Sequence, residues 1–240
     1  MKPFESFSRL LARGVTREQL PSFAGPSTLQ QEAMLRNLLR ESRHESDLHT
    51  PLTQLESISL DTETTGFHPD AGDEVISVAA FALKGSRLDP DDSFQQFVRP
   101  TLPIPQEITN LTGIREQDVA NAPSLEEVIR SFLHWAGKRL IVGCYLGHDL
   151  AFINHFLSKR YGARLSNRCL EVMRVVRFIY PELIGQEMDG VLRSLGIPIS
   201  QRHTAAGDAH MTALLWSMLL DECQRRGIDT LGELYGHLSR

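Results

Sequence analysis

Apolar and polar residues alternate along this chain in two distinct manners, and their order predicts a layout. "LESISL" (55–60) and "EVISVAAFAL" (74–83) are short β-rich runs, and "DSFQQFVRP" (92–100) alternates as an edge-like strand does. The turn-forming "KGSRLDPDD" (84–92) makes the second and third runs a hairpin. Helical spacing then takes over. "SLEEVIRSFLHWAG" (124–137) opens on Ser124 and Glu127, spaced as a capping box. "RLIVGCYL" (139–146) reads as a compact apolar strand, with a helix behind it at "HDLAFINHFLSKRYG" (148–162). "MDGVLRSLG" (188–196) and "AAGDAHMTALLWSMLLDECQRRG" (205–227) are further helices, stopped by Gly196 and Gly227. Three antiparallel strands followed by strand–helix alternation predict an α/β domain, a mixed sheet with helices on its faces.

The first fifty residues differ from the rest. "PSTLQQEAMLRNLLRES" (26–42) reads as a helix with Ser27 and Gln30 as a capping box, and its apolar faces carry Leu29, Ala33, Leu35, Leu38 and Leu39. "HESDLHTPLTQ" (44–54) is polar and reads as a linker. The expected division is therefore a helical arm and linker over 1–50 and the main domain over 51–240.

Composition narrows the class. With 240 residues and 41% hydrophobic residues the chain can bury a sizeable core. No apolar run is long enough to span a membrane, and "MKPFESFSRLLARG" lacks the features of a secretory signal. Cys144, Cys169 and Cys223 have no metal-ligand pairing and read as reduced thiols, so a cytoplasmic location is expected. The net charge of −5 argues against nucleic-acid binding by bulk electrostatics. It leaves room for bound cations and one local basic patch. Lys159, Arg160, Arg164, Arg168, Arg174 and Arg177, opposed only by Glu171, form a candidate for it, the alternative being a solvated helix face.

The candidate chemistry lies in acids at strand and helix ends. Asp61 and Glu63 follow an apolar strand, and residues two apart on a strand share a face. Like charges that close repel unless something neutralises them, and a divalent cation does so. Taken alone, the pair is an acidic turn. Asp149 falls in the first turn of a predicted helix, where it also suits the helix dipole. His203 and Asp208 flank the start of the longest helix, and Asp208 stands in the small, apolar "AAGDA". A carboxylate in such a setting needs a partner.

The order Asp61-x-Glu63, Asp149, His203-x4-Asp208 resembles the DEDDh branch of the DEDD 3′–5′ exonucleases. That branch includes the epsilon proofreading subunit of bacterial DNA polymerase III, ribonuclease T and oligoribonuclease. "DTETTGF" resembles the family's first motif, "ITNLTGIREQDVANAP" its threonine-glycine-isoleucine loop, and "MDGVLRSLGIP" its penultimate helix. The resemblance covers about Leu55 to Leu220. One departure concerns the second motif, which relatives write as histidine-asparagine, two variable residues, phenylalanine, aspartate. With "VGCYLGHD" in register, Cys144 and Tyr145 replace the histidine and asparagine, His148 replaces the phenylalanine, and Asp149 is the acid. The competing register, with His148 as the motif histidine, would put Ile153 in the acid's place.

The resemblance implies a ribonuclease H-like fold, a five-stranded mixed sheet with three antiparallel strands and then two parallel ones. It implies two Mg²⁺ ions, with Mn²⁺ able to substitute, held by Asp61, Glu63, Asp149 and Asp208, and His203 as general base. Thr64, Thr65, Gly66 and Phe67 would line the substrate groove, Phe67 stacking on a base. The other histidines, His148 and His210, take no catalytic role. The expected activity is removal of nucleoside 5′-monophosphates from the 3′ end of single-stranded or frayed DNA, in proofreading or repair. The alternatives are an exoribonuclease, a non-catalytic nucleic-acid-binding module, or a polymerase accessory subunit docking through the amino-terminal arm. Oligomeric state stays open.

Overall fold

Strand β1 (Glu56–Thr64) organises the molecule because its two faces have different contents. Ile58 and Leu60 point into one apolar cluster, while Ser57, Ser59, Asp61 and Glu63 alternate with them on the other face. The computed structural model describes residues 29–41 and 48–239. β2 (Val75–Lys84) pairs antiparallel with β1, and β3 (Arg87–Phe97) antiparallel with β2. On the other side β4 (Leu140–Gly143) and β5 (Cys169–Glu171) run parallel to β1, giving the order β3-β2-β1-β4-β5. This is the expected five-stranded mixed sheet.

Helices cover both faces. Helix α1 (Leu29–Glu41) joins the layer that faces Ile58 and Leu60. Short helices α2 (Gln106–Thr112) and α3 (Glu116–Val119) close a small apolar cluster around Ile76. Helices α4 (Leu125–Ala136) and α5 (Leu146–Tyr161) complete the α1 layer. Against the opposite face lie α6 (Val172–Ile179), α7 (Met188–Ser194), α8 (Ala205–Arg225) and α9 (Leu231–Leu238). Coverage on both sides explains why β2 is almost continuously apolar rather than alternating.

Three local readings change. The hairpin reverses at Gly85 and Ser86, with Gly85 at φ 57° and Lys84 opposite Arg87, so "RLDPDD" belongs to β3 rather than to the turn. The register breaks there: Phe81 faces Ser93 while Ala82 faces Asp89, and the edge position lets Pro90 sit in the bulge without costing a ladder bond. The strand read over 139–146 ends at Gly143, because Tyr145 adopts left-handed φ 58° and starts α5. Its amide and that of Leu146 donate to the Glu171 carboxylate at 3.0 and 2.9 Å, which fixes the turn. β5 and α6 were not visible in the pattern, since three strand residues are too few for a period and sit inside a basic stretch.

The proposed capping box of α4 is present, with Ser124 and Glu127 bonded reciprocally. That of the first helix involves Ser27, which lies outside the described residues. Leu35 and Leu39 of α1 are buried in the cluster shared with α4 and α5. Leu35→Ala is expected to lower unfolding free energy by roughly 2–3 kcal/mol, read as a lower urea midpoint at unchanged slope.

Candidate active site

The site forms because β1 outruns its neighbour. β4 pairs with β1 only as far as Ser59 opposite Val142, so the β4-side edge of β1 is open from Leu60 onward. The start of α5 fills that gap. Asp149 Oδ1 accepts hydrogen bonds from the Thr62 amide at 2.8 Å and the Thr62 hydroxyl at 2.6 Å. The other layer reaches the same place because β1 carries small side chains beneath α8. Ser59 donates to the carbonyl of Ala209, and the Trp216 indole donates to Ser57 Oγ at 3.0 Å. With serines there the helix lies close on the strand, and Asp208, one residue before Ala209, meets the acids of β1. Ligand atoms of Asp61, Glu63 and Asp208 all lie within 4.8 Å of one another.

The structure therefore brings Asp61, Glu63 and Asp208 into one cluster and places Asp149 beside β1 through Thr62. Asp149 stands outside the tight set, one oxygen being turned to Thr62. Ile153, the acid position of the competing register, is fully buried in the apolar layer. Desolvation pushes Glu63 up to about 8, helped by repulsion from Asp208 and Asp149. Asp61 is likewise raised well above the usual range, by burial first and then by Asp149, Glu63 and Asp208. Burial raises Asp149 to about 7 against the opposing pull of its bonds to Thr62. Asp61, Glu63 and Asp149 thus share a setting that favours their protonated forms.

The turn before α8 is built tightly. Gln201 and His203 both have left-handed φ, 53° and 59°, and Thr204 caps the helix through a bond from the Gly207 amide at 3.1 Å. Any Cβ on Gly207 would fall 2.1 Å from the Gln201 carbonyl, so glycine is required. His203 is exposed, and its amide donates to Asp208 Oδ2 at 3.3 Å. Sequence reasoning missed Arg202. Its guanidinium bonds Asp189 Oδ1 at 2.6 Å and ion-pairs with Asp208, lowering the affinity of Asp61 and Glu63 for protons. Asp208 Oδ1 is buried, and the Arg202 guanidinium is the group that faces and neutralises it. An arginine next to the candidate histidine was the available signal.

The segment after the acids is held from behind. Thr64 and Thr65 are buried and spend their hydroxyls on Gly66 O at 2.6 Å and the Glu74 amide at 2.8 Å. Gly66 lies against the Asp73 carboxylate, 2.3 Å from where a Cβ would stand. Phe67 is 73% exposed, its ring edge-on to His148 at 5.7 Å, and His148 packs on Phe152 at 4.9 Å. An outward phenylalanine this exposed is not a core residue. His148 also approaches Thr64 Oγ1 at 3.2 Å, and burial lowers its pKa. His210 packs on Phe81 and is lowered by the same cause.

Three of the six basic residues in the basic stretch are engaged within the chain. Arg160 pairs with Glu126, Arg168 lies over the Tyr235 ring, and Arg174 donates to the Leu238 carbonyl. Cys144, Cys169 and Cys223 are unpaired, and burial pushes the Cys144 thiol up to about 12. No helix among the described residues is long and apolar enough to cross a membrane.

The acid cluster lies at the end of a mixed sheet between two helix layers, and comparison with known proteins supplies the class. Residues 58–216 match the RNase_T family, described as exonuclease. The chain is 34% identical over 188 residues to a DNA polymerase III subunit epsilon-like protein of Rhodobacter capsulatus, covering 76% of this chain and 26% of that one. It is 30% identical to the DNA polymerase III subunit epsilon of Aquifex aeolicus, covering 69% of this chain and 80% of that subunit. The fold is shared with the nuclease domain of 3′hExo, a DEDDh family member bound to rAMP, at TM-score 0.61 and 20% identity, over 70% of this chain and 92% of that one. The chain belongs to the RNase_T exonuclease family. It spans about a quarter of the Rhodobacter relative's length.

Proposed function

We propose that this protein is a divalent-metal-dependent exonuclease that removes nucleoside 5′-monophosphates from the 3′ end of DNA. The observation that carries this reading is the convergence of Asp61, Glu63 and Asp208 within 4.8 Å. Hard oxygen donors and mutual repulsion suit Mg²⁺, with Mn²⁺ able to substitute. Asp61, Glu63, Asp208 and Asp149 would hold two such ions, whose chemistry is Lewis-acid activation of water and neutralisation of phosphate charge.

The rest falls to the chain itself. Thr62 orients Asp149 through two bonds, and the His203 amide bonded to Asp208 ties the general base to the cluster. The exposed imidazole of His203 takes the proton of the attacking water. With both threonine hydroxyls engaged, backbone groups at Thr64–Gly66 and the ring of Phe67 meet the terminal nucleotide. The epsilon relatives favour DNA and a proofreading setting with a polymerase partner. A second reading, an exoribonuclease, is favoured by the rAMP held by 3′hExo.

The test is digestion of 5′-labelled DNA and RNA oligonucleotides with Mg²⁺ or Mn²⁺. A one-nucleotide ladder from the DNA 3′ end is expected, abolished by chelator and slowed at least ~100-fold in Asp149→Ala. A faster RNA ladder would favour the second reading. Internal cuts would sink the exonuclease assignment, and full activity in Asp149→Ala would remove that residue from the metal site.

A further inference from the structure

Tyr145 is the most unusual residue near the acids. It holds left-handed φ 58°, a region that bulky side chains avoid and that the asparagine of related second motifs enters easily. Despite that strain the residue is 57% exposed, so core burial does not compensate for it. The residue lines a cleft of about 440 Å³ together with Glu187, Asp189, Arg193, Arg202 and His203. His203 connects the cleft to the hydrolytic centre. Arg202 is tied to Asp189 and Asp208, but the exposed Arg193 guanidinium makes no ion pair or hydrogen bond among the described residues. The backbone around Tyr145 is pinned by Glu171, which accepts from the amides of Tyr145 and Leu146. Tyr145 is thus a rigidly mounted aromatic face beside an available cation.

We propose that Tyr145 stacks on a nucleobase of the bound strand in this cleft and that Arg193 receives the adjoining phosphate. The cleft is a second strand-binding surface beside His203, and the proposal rests on the exonuclease reading. Stacking uses the π-face common to every base, so the contact holds DNA and RNA without sequence preference. Strain at Tyr145 is retained because the position serves binding rather than stability.

The test compares wild type, Tyr145→Asn and Tyr145→Phe by melting, by steady-state kinetics on DNA and RNA oligonucleotides, and by anisotropy of labelled oligonucleotides in Ca²⁺. Asparagine relieves the backbone, so Tm should rise by about 2 °C, while KM and Kd rise about fivefold or more. Phenylalanine keeps the ring and should restore both constants. Arg193→Ala should flatten the dependence of log Kd on log salt by about one unit. A higher Tm with unchanged KM and Kd in Tyr145→Asn would overturn the proposal and leave the exonuclease reading intact. If wild type fails to hydrolyse any oligonucleotide, the exonuclease reading fails, and the anisotropy series still decides whether Tyr145 holds a base.

Discussion

Asp61→Asn should reduce hydrolysis at least about 10³-fold and at the same time raise the Tm of the metal-free protein. Asp61 is repelled by Asp149, Glu63 and Asp208 and lies in the tight cluster with the last two. The amide keeps its shape and removes one charge, so it removes a ligand worth several kcal/mol of transition-state stabilisation. It also relieves repulsion that the apo fold must otherwise carry, since desolvation and three like charges all disfavour the ionised Asp61. Metal-induced stabilisation should shrink with it, because fewer charges remain to bind cations. Single-turnover rates on a 5′-labelled oligonucleotide and melting with and without Mg²⁺ check both halves. Activity within tenfold of wild type would remove Asp61 from the metal site. A lower Tm in chelator would show that repulsion is not what the carboxylate contributes there.

The second large effect is a stability that falls as pH rises, unless metal is present. Glu63 is raised from 4.5 to about 8 and Asp149 from 3.8 to about 7, both chiefly by burial. Between those limits the folded chain binds more protons than the unfolded chain, so stability is fully present below about pH 4 and is lost as pH climbs through 7 and 8. His148 and His210 are lowered and act in the opposite direction, but below their ordinary 6.5. Above pH 6.5 the acids decide. In chelator, Tm should drop by about 5 °C between pH 6.5 and 8.5. Saturating Mg²⁺ should remove the drop, because ligation requires the deprotonated acids and becomes more favourable as they ionise. A flat profile in chelator would mean that water reaches these carboxylates freely.

Sequence and structure divide the site between them in an instructive way. The spacing of Asp61 and Glu63 fixed their common face before any fold was known, since side chains two apart on a strand point the same way. The helices around Asp149 and Asp208 were legible from their apolar spacing, and the family resemblance supplied the order in which the acids belong together. Local pattern failed where segments were short or their neighbours decided the outcome. β5 has three residues, too few to show a period, and the end of β4 is set by Glu171, twenty-six residues on from Tyr145. The basic stretch read in sequence as either a patch or a solvated face, and three of its arginines turn to Glu126, Tyr235 and the Leu238 carbonyl.

By itself, then, the chain determined the kinds of elements, their order, and which residues could bear charge at an element's end, because those follow from periodicity and local sterics. Tertiary structure decided which of those charges meet. Ser57 and Ser59 read as unremarkable strand residues until α8 lies on them, and their small size is what lets Asp208 reach Asp61. Arg202 is marked in sequence only by standing next to His203; the close turn before α8 sets it between Asp189 and Asp208. Proximity between residues 147 apart along the chain, as for Asp61 and Asp208, is a property of packing, and no local rule encodes it.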